Sequence, residues 1–276
     1  MIKPMLAYKV GKKEIDFTET VFLQPKLDGV RCVISKDGAF TRQGNQWMNA
    51  IHVLDYLKPF FEKHPNIILD GELYNHDLKN DFEKIISLVR KTKPTDLDRL
   101  EASALVQFHC YDYISDELYQ DRYNFLCTQP WALYSDIDCV KHVKASSIKD
   151  MEEALVFHKL NLSNGYEGSI LRLNKPYECK RSYNLQKFKD FSDAEATITG
   201  YVVGKGKRIN TIGKFLAIDS DGNTFGMPIM DKQQKLLANF ENMKTWVGKQ
   251  ATFTYFERTK ANSYRHPLFK ALRDYE

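Results

Sequence analysis

The feature that most constrains the fold is a change of pattern near residue 190. Beyond it the chain reads ATITGYVVG, KFLAIDSDG, NTFGMPI, QATFTYFE and HPLFKAL, five short apolar runs bounded by turn residues. A helix-like stretch, LLANFENMKTWVG, lies between the third and the fourth. Five strands with one interposed helix fit a closed barrel of the OB type. Ahead of this segment the pattern is mixed. Strand-like runs, NIILDGELY, ALVQFHCYDYI, YEGSILRL and NLQKFKDF, are interspersed with stretches of helical period, which predicts an α+β unit. A chain of 276 residues exceeds the size at which one core stops growing, so two domains are expected, 1–190 and 191–276.

In NDFEKIISLVRK, residues Phe82, Ile85, Ile86 and Val89 form one apolar stripe. In KDMEEALVFHKLNL, Met151, Ala154, Leu155, His158 and Leu162 form another. Both are expected to face a core. HVLDYLKPFFEKH is also helical in period, and Pro59 is expected to kink or divide it. VRCVIS and AFTR flank KDG, a hairpin signal with Asp37 and Gly38 as the two-residue loop. That register sets Val33 opposite Arg42 and Arg31 opposite Gly44. Arg31 and Arg42 then become diagonal neighbours that need an anion or a carboxylate between them.

Composition narrows the class of protein. With 43% apolar and 28% charged residues the chain reads as globular. No apolar run approaches a membrane span and the first residues lack the core of a signal peptide. A cytoplasmic monomer with no membrane partner is therefore expected. Five cysteines, never spaced CxxC, argue against a disulfide framework and a thiolate zinc site, and the seven histidines form no HxxxH pair. Residues 191–276 carry 13 Lys+Arg against 9 Asp+Glu, so the whole net charge of +4 lies there. This suits a polyanionic partner.

Five short stretches carry chemistry. PKLDGVR (25–31) packs a lysine, an aspartate, a glycine and an arginine into one segment; a DG pair alone reads as a turn between solvated flanks. ILDGELY sets Asp70 and Glu72 on one face of a strand, and HCYDYI sets Tyr111 before Asp112. YEGSILR carries Glu167 before Gly168, and LQKFKDF sends Lys187 and Lys189 to one side. With TRQG after the first, this order and spacing resembles the covalent nucleotidyltransferase superfamily of ATP-dependent DNA ligases, RNA ligases and mRNA capping enzymes. KPMLA, the QP before Lys26, DRYNFL and SYRHPLFKALR are similar to the small viral and bacterial ATP-dependent DNA ligases. The resemblance covers nearly the whole chain. It implies a nucleotidyltransferase domain, ATP-grasp-like and built of antiparallel sheets and helices, followed by an all-β OB domain.

The residues can be read chemically beside that resemblance. For Lys26 to attack the α-phosphorus of a nucleotide its amine must shed a proton, which desolvation, neighbouring cations or a bound metal favour. Lys187, Lys189 and Arg31 supply a positive field, and Mg²⁺ (or Mn²⁺) would neutralise phosphate charge. Glu167 is the first candidate ligand for that ion. Tyr111 offers a ring for adenine, and Pro25 biases Gln24 toward an extended backbone that delivers Lys26.

The resemblance implies that Lys26, Asp28, Lys187, Lys189 and Arg265 are catalytic, and that Gln24, Arg31, Glu72 and Tyr111 join Lys26 and the two later lysines around ATP. Glu167 and Glu72 would hold the metal; Arg42 and Arg273 would meet DNA. Which of Arg265 and Arg273 orients pyrophosphate stays open, because the chain ends in ALRDYE rather than RxDK. The short basic loop GKGKRIN adds Lys205, Lys207 and Arg208 as phosphate contacts. The function implied is sealing of nicks in duplex DNA through lysyl-AMP and adenylated DNA. RNA ligase and capping guanylyltransferase are alternatives within the superfamily. A catalytically inactive OB-containing binder is the alternative outside it, but binding alone needs no paired strand carboxylates.

Overall fold

In the computed structural model, which describes residues 3–79, 81–133, 139–188, 192–206, 209, 211–229, 245–255, 257–259 and 262–273, every strand-like run quoted above contains a strand. The chain divides into two units, Met1–Lys189 and Asp190–Glu276.

Two five-stranded sheets form the first unit. One contains β1 (Leu6–Lys9), β2 (Val21–Lys26), β8 (Ser146–Ile148), β9 (Gly168–Leu173) and β10 (Arg181–Phe188), in the order β1-β10-β9-β2-β8. The other contains β3 (Val30–Ser35), β4 (Gly38–Phe40), β5 (Leu69–Tyr74), β6 (Gln107–Tyr113) and β7 (Val140–His142), in the order β4-β3-β5-β6-β7. Pairing is antiparallel except for β1 on β10 and β7 on β6.

Each sheet buries one face under helices, as strand alternation requires. Cys32, Ile34, Leu69, Leu73, Phe108 and Val140 share a core with α1 (Ile51–Lys63), α2 (Phe82–Val89), α3 (Asp96–Leu105), α4 (Tyr119–Cys127) and α5 (Pro130–Leu133). Val21, Leu23 and Leu171 pack with Ala154 of α6 (Met151–Ser163). Asp150 caps α6 by accepting from the Glu153 N–H, and Thr95 and Asp98 form a reciprocal capping box on α3.

Four expectations are corrected here. Pro59 lies inside α1 without dividing it; only one amide donor is lost, and Val53, Leu57, Phe60 and Phe61 anchor the helix on both sides of it. On α2 the buried residues among those described are Ile85, Leu88 and Val89, with Ile86 half-buried; the side chain of Phe82 lies outside the described residues. On α6, Ala154 and His158 are buried and Leu155 is exposed, because Ala154 and His158, one turn apart, share the packed side of the helix and Leu155 falls to its flank. The hairpin is also shifted. Ser35 pairs with Gly38 and Val33 with Phe40, so Lys36 and Asp37 form the loop and Arg42 lies beyond the strand.

The second unit is the OB barrel. β11 (Ser192–Val203), β12 (Ile212–Ile218), β13 (Thr224–Pro228), β14 (Gln250–Tyr255) and β17 (Leu268–Leu272) run in the order β13-β12-β11-β14-β17, and a parallel bridge between Ile229 and Phe269 closes the ring. Its core holds Ile198, Phe215, Met227, Trp246, Phe253 and Phe269. A short ribbon of β15 (Glu257–Arg258) and β16 (Tyr264–Arg265) accompanies it. Most of the helix expected in LLANFENMKTWVG lies outside the described residues; Thr245 and Trp246 at its end are helical.

Candidate active site

Lys26 ends β2, and Leu27–Gly29 carry the chain into β3, so the KLDGVR segment joins the two sheets of the first unit. Gly29 is not in the left-handed region. A side chain there would come within 2.4 Å of the Leu73 carbonyl oxygen and 2.7 Å of Glu72 Cγ. Close passage of two strands, rather than a tight turn, is what requires glycine.

The polar faces of both sheets line one cleft of about 260 Å³, to which Gln24, Lys26, Arg31, Arg42, Glu72, Tyr111 and Lys187 all contribute. Arg172 and Arg181, not singled out from the sequence, line it as well. Asp28 is half-buried in the connection that leaves it. Glu167 stands beside Lys26. Its N–H donates to the Lys26 carbonyl at 3.1 Å, and its nearly buried carboxylate forms an ion pair with Lys26 Nζ. Gly168, opposite Lys26 in the ladder, has φ +154°, and a Cβ would lie 2.5 Å from the Phe188 carbonyl oxygen. The EG pair is thus a glycine demanded by crowding next to a carboxylate demanded by the lysine.

Arg31 faces Glu72 in the ladder, but its guanidinium forks onto Asp70, with Nε at 2.6 Å and Nη2 at 2.5 Å. Asp70 also accepts from the Tyr177 hydroxyl at 2.7 Å. This buried carboxylate absorbs the charge of Arg31, so no anion is needed between Arg31 and Arg42. Among the described residues, Glu72 receives only a long contact, from the Tyr111 hydroxyl at 3.4 Å. Burial therefore dominates and pushes its carboxyl up to about 7, with Arg31 and Lys26 opposing the shift and Asp70 and Glu167 adding to it.

A carboxyl raised in the folded chain contributes stability that is complete below its ordinary value of 4.5 and is lost as pH rises through about 7. Glu72→Gln should therefore match the wild type near about pH 4.5 and exceed it by about 1–2 kcal/mol near about pH 8, a figure discounted because Glu72 retains contact with solvent. Chemical denaturation at both pH values checks this; a variant less stable at the higher pH would show that Glu72 is held ionised by its neighbours.

Beneath the cleft lies a network that sequence reasoning missed. Asp112, fully buried, accepts from Arg122 Nε at 2.7 Å and Nη2 at 3.1 Å, and from Arg172 Nη1 at 2.8 Å. Arg172 Nε donates to Gln24 Oε1 at 2.6 Å, and Gln24 Nε2 donates to the Val143 carbonyl at 3.0 Å. The guanidinium of Arg31 lies 5.2 Å and that of Arg172 5.1 Å from the centre of the Tyr111 ring, which fixes the tyrosine at the edge of the cleft. The available signal was Arg172 itself, a cation alternating with apolar residues in SILRL, which requires a buried acid elsewhere.

The remaining nominated residues fall elsewhere. Lys189, Lys207 and Arg208 lie outside the described residues. Lys205 is exposed in the second unit. Arg265 is on β16, and Arg273 binds within its own barrel, donating to Thr252 Oγ1 at 2.9 Å and pairing with Glu195 at 2.5 Å. Among the described residues no three His, Cys, Asp or Glu converge on a metal-binding point, and no helix is long and apolar enough to cross a membrane.

The family model for the ATP dependent DNA ligase domain matches residues 4–189, the unit that contains the cleft. A DNA ligase of African swine fever virus is 29% identical over 230 residues, which cover 77% of this chain and 52% of the viral protein. The chain thus spans about half the length of the viral relatives it matches. A Lig E DNA ligase structure superimposes with a TM-score of 0.79 at 24% identity, covering 99% of this chain and all of that one. A Chlorella virus DNA ligase-adenylate structure gives a TM-score of 0.53 at 25% identity, covering 100% of this chain and 99% of that one. With its matched region spanning both sheets and the lysine between them, the chain belongs to the ATP-dependent DNA ligase domain family.

Proposed function

We propose that this chain seals nicks in duplex DNA using ATP, with Lys26 as the acceptor of AMP. The observation that carries the reading is the Lys26–Glu167 pair at the mouth of a cleft lined by Gln24, Arg31, Glu72, Tyr111 and Lys187. The Chlorella virus relative bears an adenylate, and the same chemistry is assigned here.

In the first step the Lys26 amine, after losing a proton, attacks the α-phosphorus of ATP; the N–P bond forms and pyrophosphate leaves. Glu167, in contact with the amine, is placed to take that proton. Lys187, with Lys189 beyond it in sequence, neutralises the charge that develops on the phosphate, and Tyr111 stacks on the base. Arg31, steadied by Asp70, and Glu72 meet the ribose; Asp28 acts beside Lys26. AMP then passes to the 5′-phosphate at a nick, and the 3′-hydroxyl displaces AMP to close the strand. Arg265 is assigned to pyrophosphate, and Arg42, Lys205, Lys207, Arg208 and Arg273 to DNA phosphates.

Glu72 and Glu167 provide hard oxygen donors beside Lys26, and one or two carboxylates completed by phosphate oxygens and water suit Mg²⁺ or Mn²⁺. When bound, the ion would neutralise the phosphates.

The test is intact mass after incubation with each nucleoside triphosphate and Mg²⁺, followed by addition of nicked DNA or nicked RNA. An AMP adduct with ATP that moves to the 5′-phosphate of nicked DNA is expected. An adduct with GTP alone, or transfer to RNA alone, would replace this reading with a capping or RNA-joining one.

A further inference from the structure

We propose that Arg172 is a positioning residue that determines which purine the cleft accepts, by holding the Gln24 amide in one orientation. The inference rests on the nucleotidyl transfer proposed above and adds to it the origin of base choice.

Gln24 lies two residues before Lys26 on β2, so alternation turns both toward the cleft, and only 1% of Gln24 is exposed. The two ends of its amide meet partners of opposite kind. A backbone carbonyl, that of Val143, can only accept, and the guanidinium of Arg172 can only donate. Reversing the amide would set oxygen against oxygen and N–H against N–H in a buried place, leaving both ends unsatisfied.

The carbonyl is fixed by the backbone, and the guanidinium is fixed by its surroundings. Arg172 is 4% exposed, its Nη1 is held by Asp112, and the Tyr111 and Tyr119 rings each lie 5.1 Å from its Cζ. Asp112 is in turn gripped by Arg122. The amide is therefore the end of a rigid chain, Arg122–Asp112–Arg172–Gln24.

A primary amide offers one acceptor beside one donor. Adenine presents a donor at N6 beside acceptors at N1 and N7; guanine presents an acceptor at O6 beside a donor at N1. The two bases thus ask for opposite amide orientations. An amide free to reverse serves either, whereas a locked one serves one, so base selectivity should depend on the residue that sets the lock.

The experiment measures the second-order rate of adduct formation by intact mass on the full chain, with ATP and with GTP, each with Mg²⁺. The wild type should favour ATP by about 100-fold or more. Arg172→Met should narrow that ratio by about 10-fold or more. Arg172→Lys, which keeps a charge against Asp112 but loses the planar fork, should narrow it too, and carries the test if the Met variant does not fold. In a Gln24→Met background, Arg172→Lys should change the ratio no further, because both act through one amide. A merely structural role would slow both nucleotides equally; an unchanged ratio in a folded Arg172 variant of an active enzyme overturns this inference alone. A wild type that forms no adduct with either nucleotide overturns the proposed function and this inference with it.

Discussion

Lys26→Arg should fold as the wild type does and form no AMP adduct, a loss of at least about 10⁴-fold in self-adenylation. The arginine variant is the cleaner of two, and the reason lies in Glu167. The side chains of Lys26 and Glu167 are 21% and 4% exposed, so Lys26→Ala removes the cation paired with a nearly buried carboxylate and destabilises the unit as well as removing the proposed acceptor. Arginine keeps the charge beside Glu167, yet its guanidinium holds its proton at any working pH and cannot attack phosphorus. Intact mass with ATP and Mg²⁺, on protein whose circular dichroism matches the wild type, checks the result. An adduct persisting on Lys26→Arg would move the acceptor to another amine, with Lys187 of the same cleft as the first to examine.

The parts of this site that were legible in the sequence are those written in local pattern. Two-residue alternation is enough to predict that Asp70 and Glu72 share a face, and five strands around one helix are enough to predict the barrel, since strand geometry fixes both. The division of labour between the carboxylates was not legible. Whether Arg31 pairs with Asp70 or Glu72 depends on which one the sheet packing buries beneath the guanidinium, and the ladder partner, Glu72, is not the one chosen. Likewise Lys26 and Glu167 are 141 residues apart in sequence, and only the pairing of β2 with β9 brings them together. The hairpin forms, but in a register shifted for a local reason. The Asp-Gly rule assumes that glycine occupies the second loop position, whereas Gly38, at φ +142°, follows the loop and opens β4. Pro59 does not divide α1 for a tertiary reason, because apolar anchors on both sides of the proline hold the helix together.

The second large effect concerns stability rather than chemistry. Asp112→Ala should cost about 4 kcal/mol or more in the first unit, enough to leave little of a typical domain's margin. Two guanidiniums, Arg122 at 1% and Arg172 at 4% exposure, depend on this one carboxylate. Arg122 has further acceptors in the carbonyls of Glu117 and Lys175, the latter at 3.2 Å, and Arg172 has Gln24. Those contacts satisfy hydrogens but not charge, so deletion of Asp112 would remove the carboxylate bonded to both cations, leaving Arg172 only the more distant Asp70, already paired with Arg31. Asp112→Asn should fall between, since it keeps an acceptor oxygen and loses the charge. Urea denaturation followed by tryptophan fluorescence in a Trp246→Phe background, which removes the signal of the barrel, reads the first unit through Trp47 and Trp131, both buried in its helix-covered core. The surface pair Lys175–Glu19 of the same unit, with side chains 40% and 46% exposed, provides the contrast: Glu19→Ala should cost no more than about 0.5 kcal/mol. If Asp112→Ala proved as mild as Glu19→Ala, water would have to reach both arginines in the folded chain, and the rigid chain of contacts that ends at Gln24 would not exist.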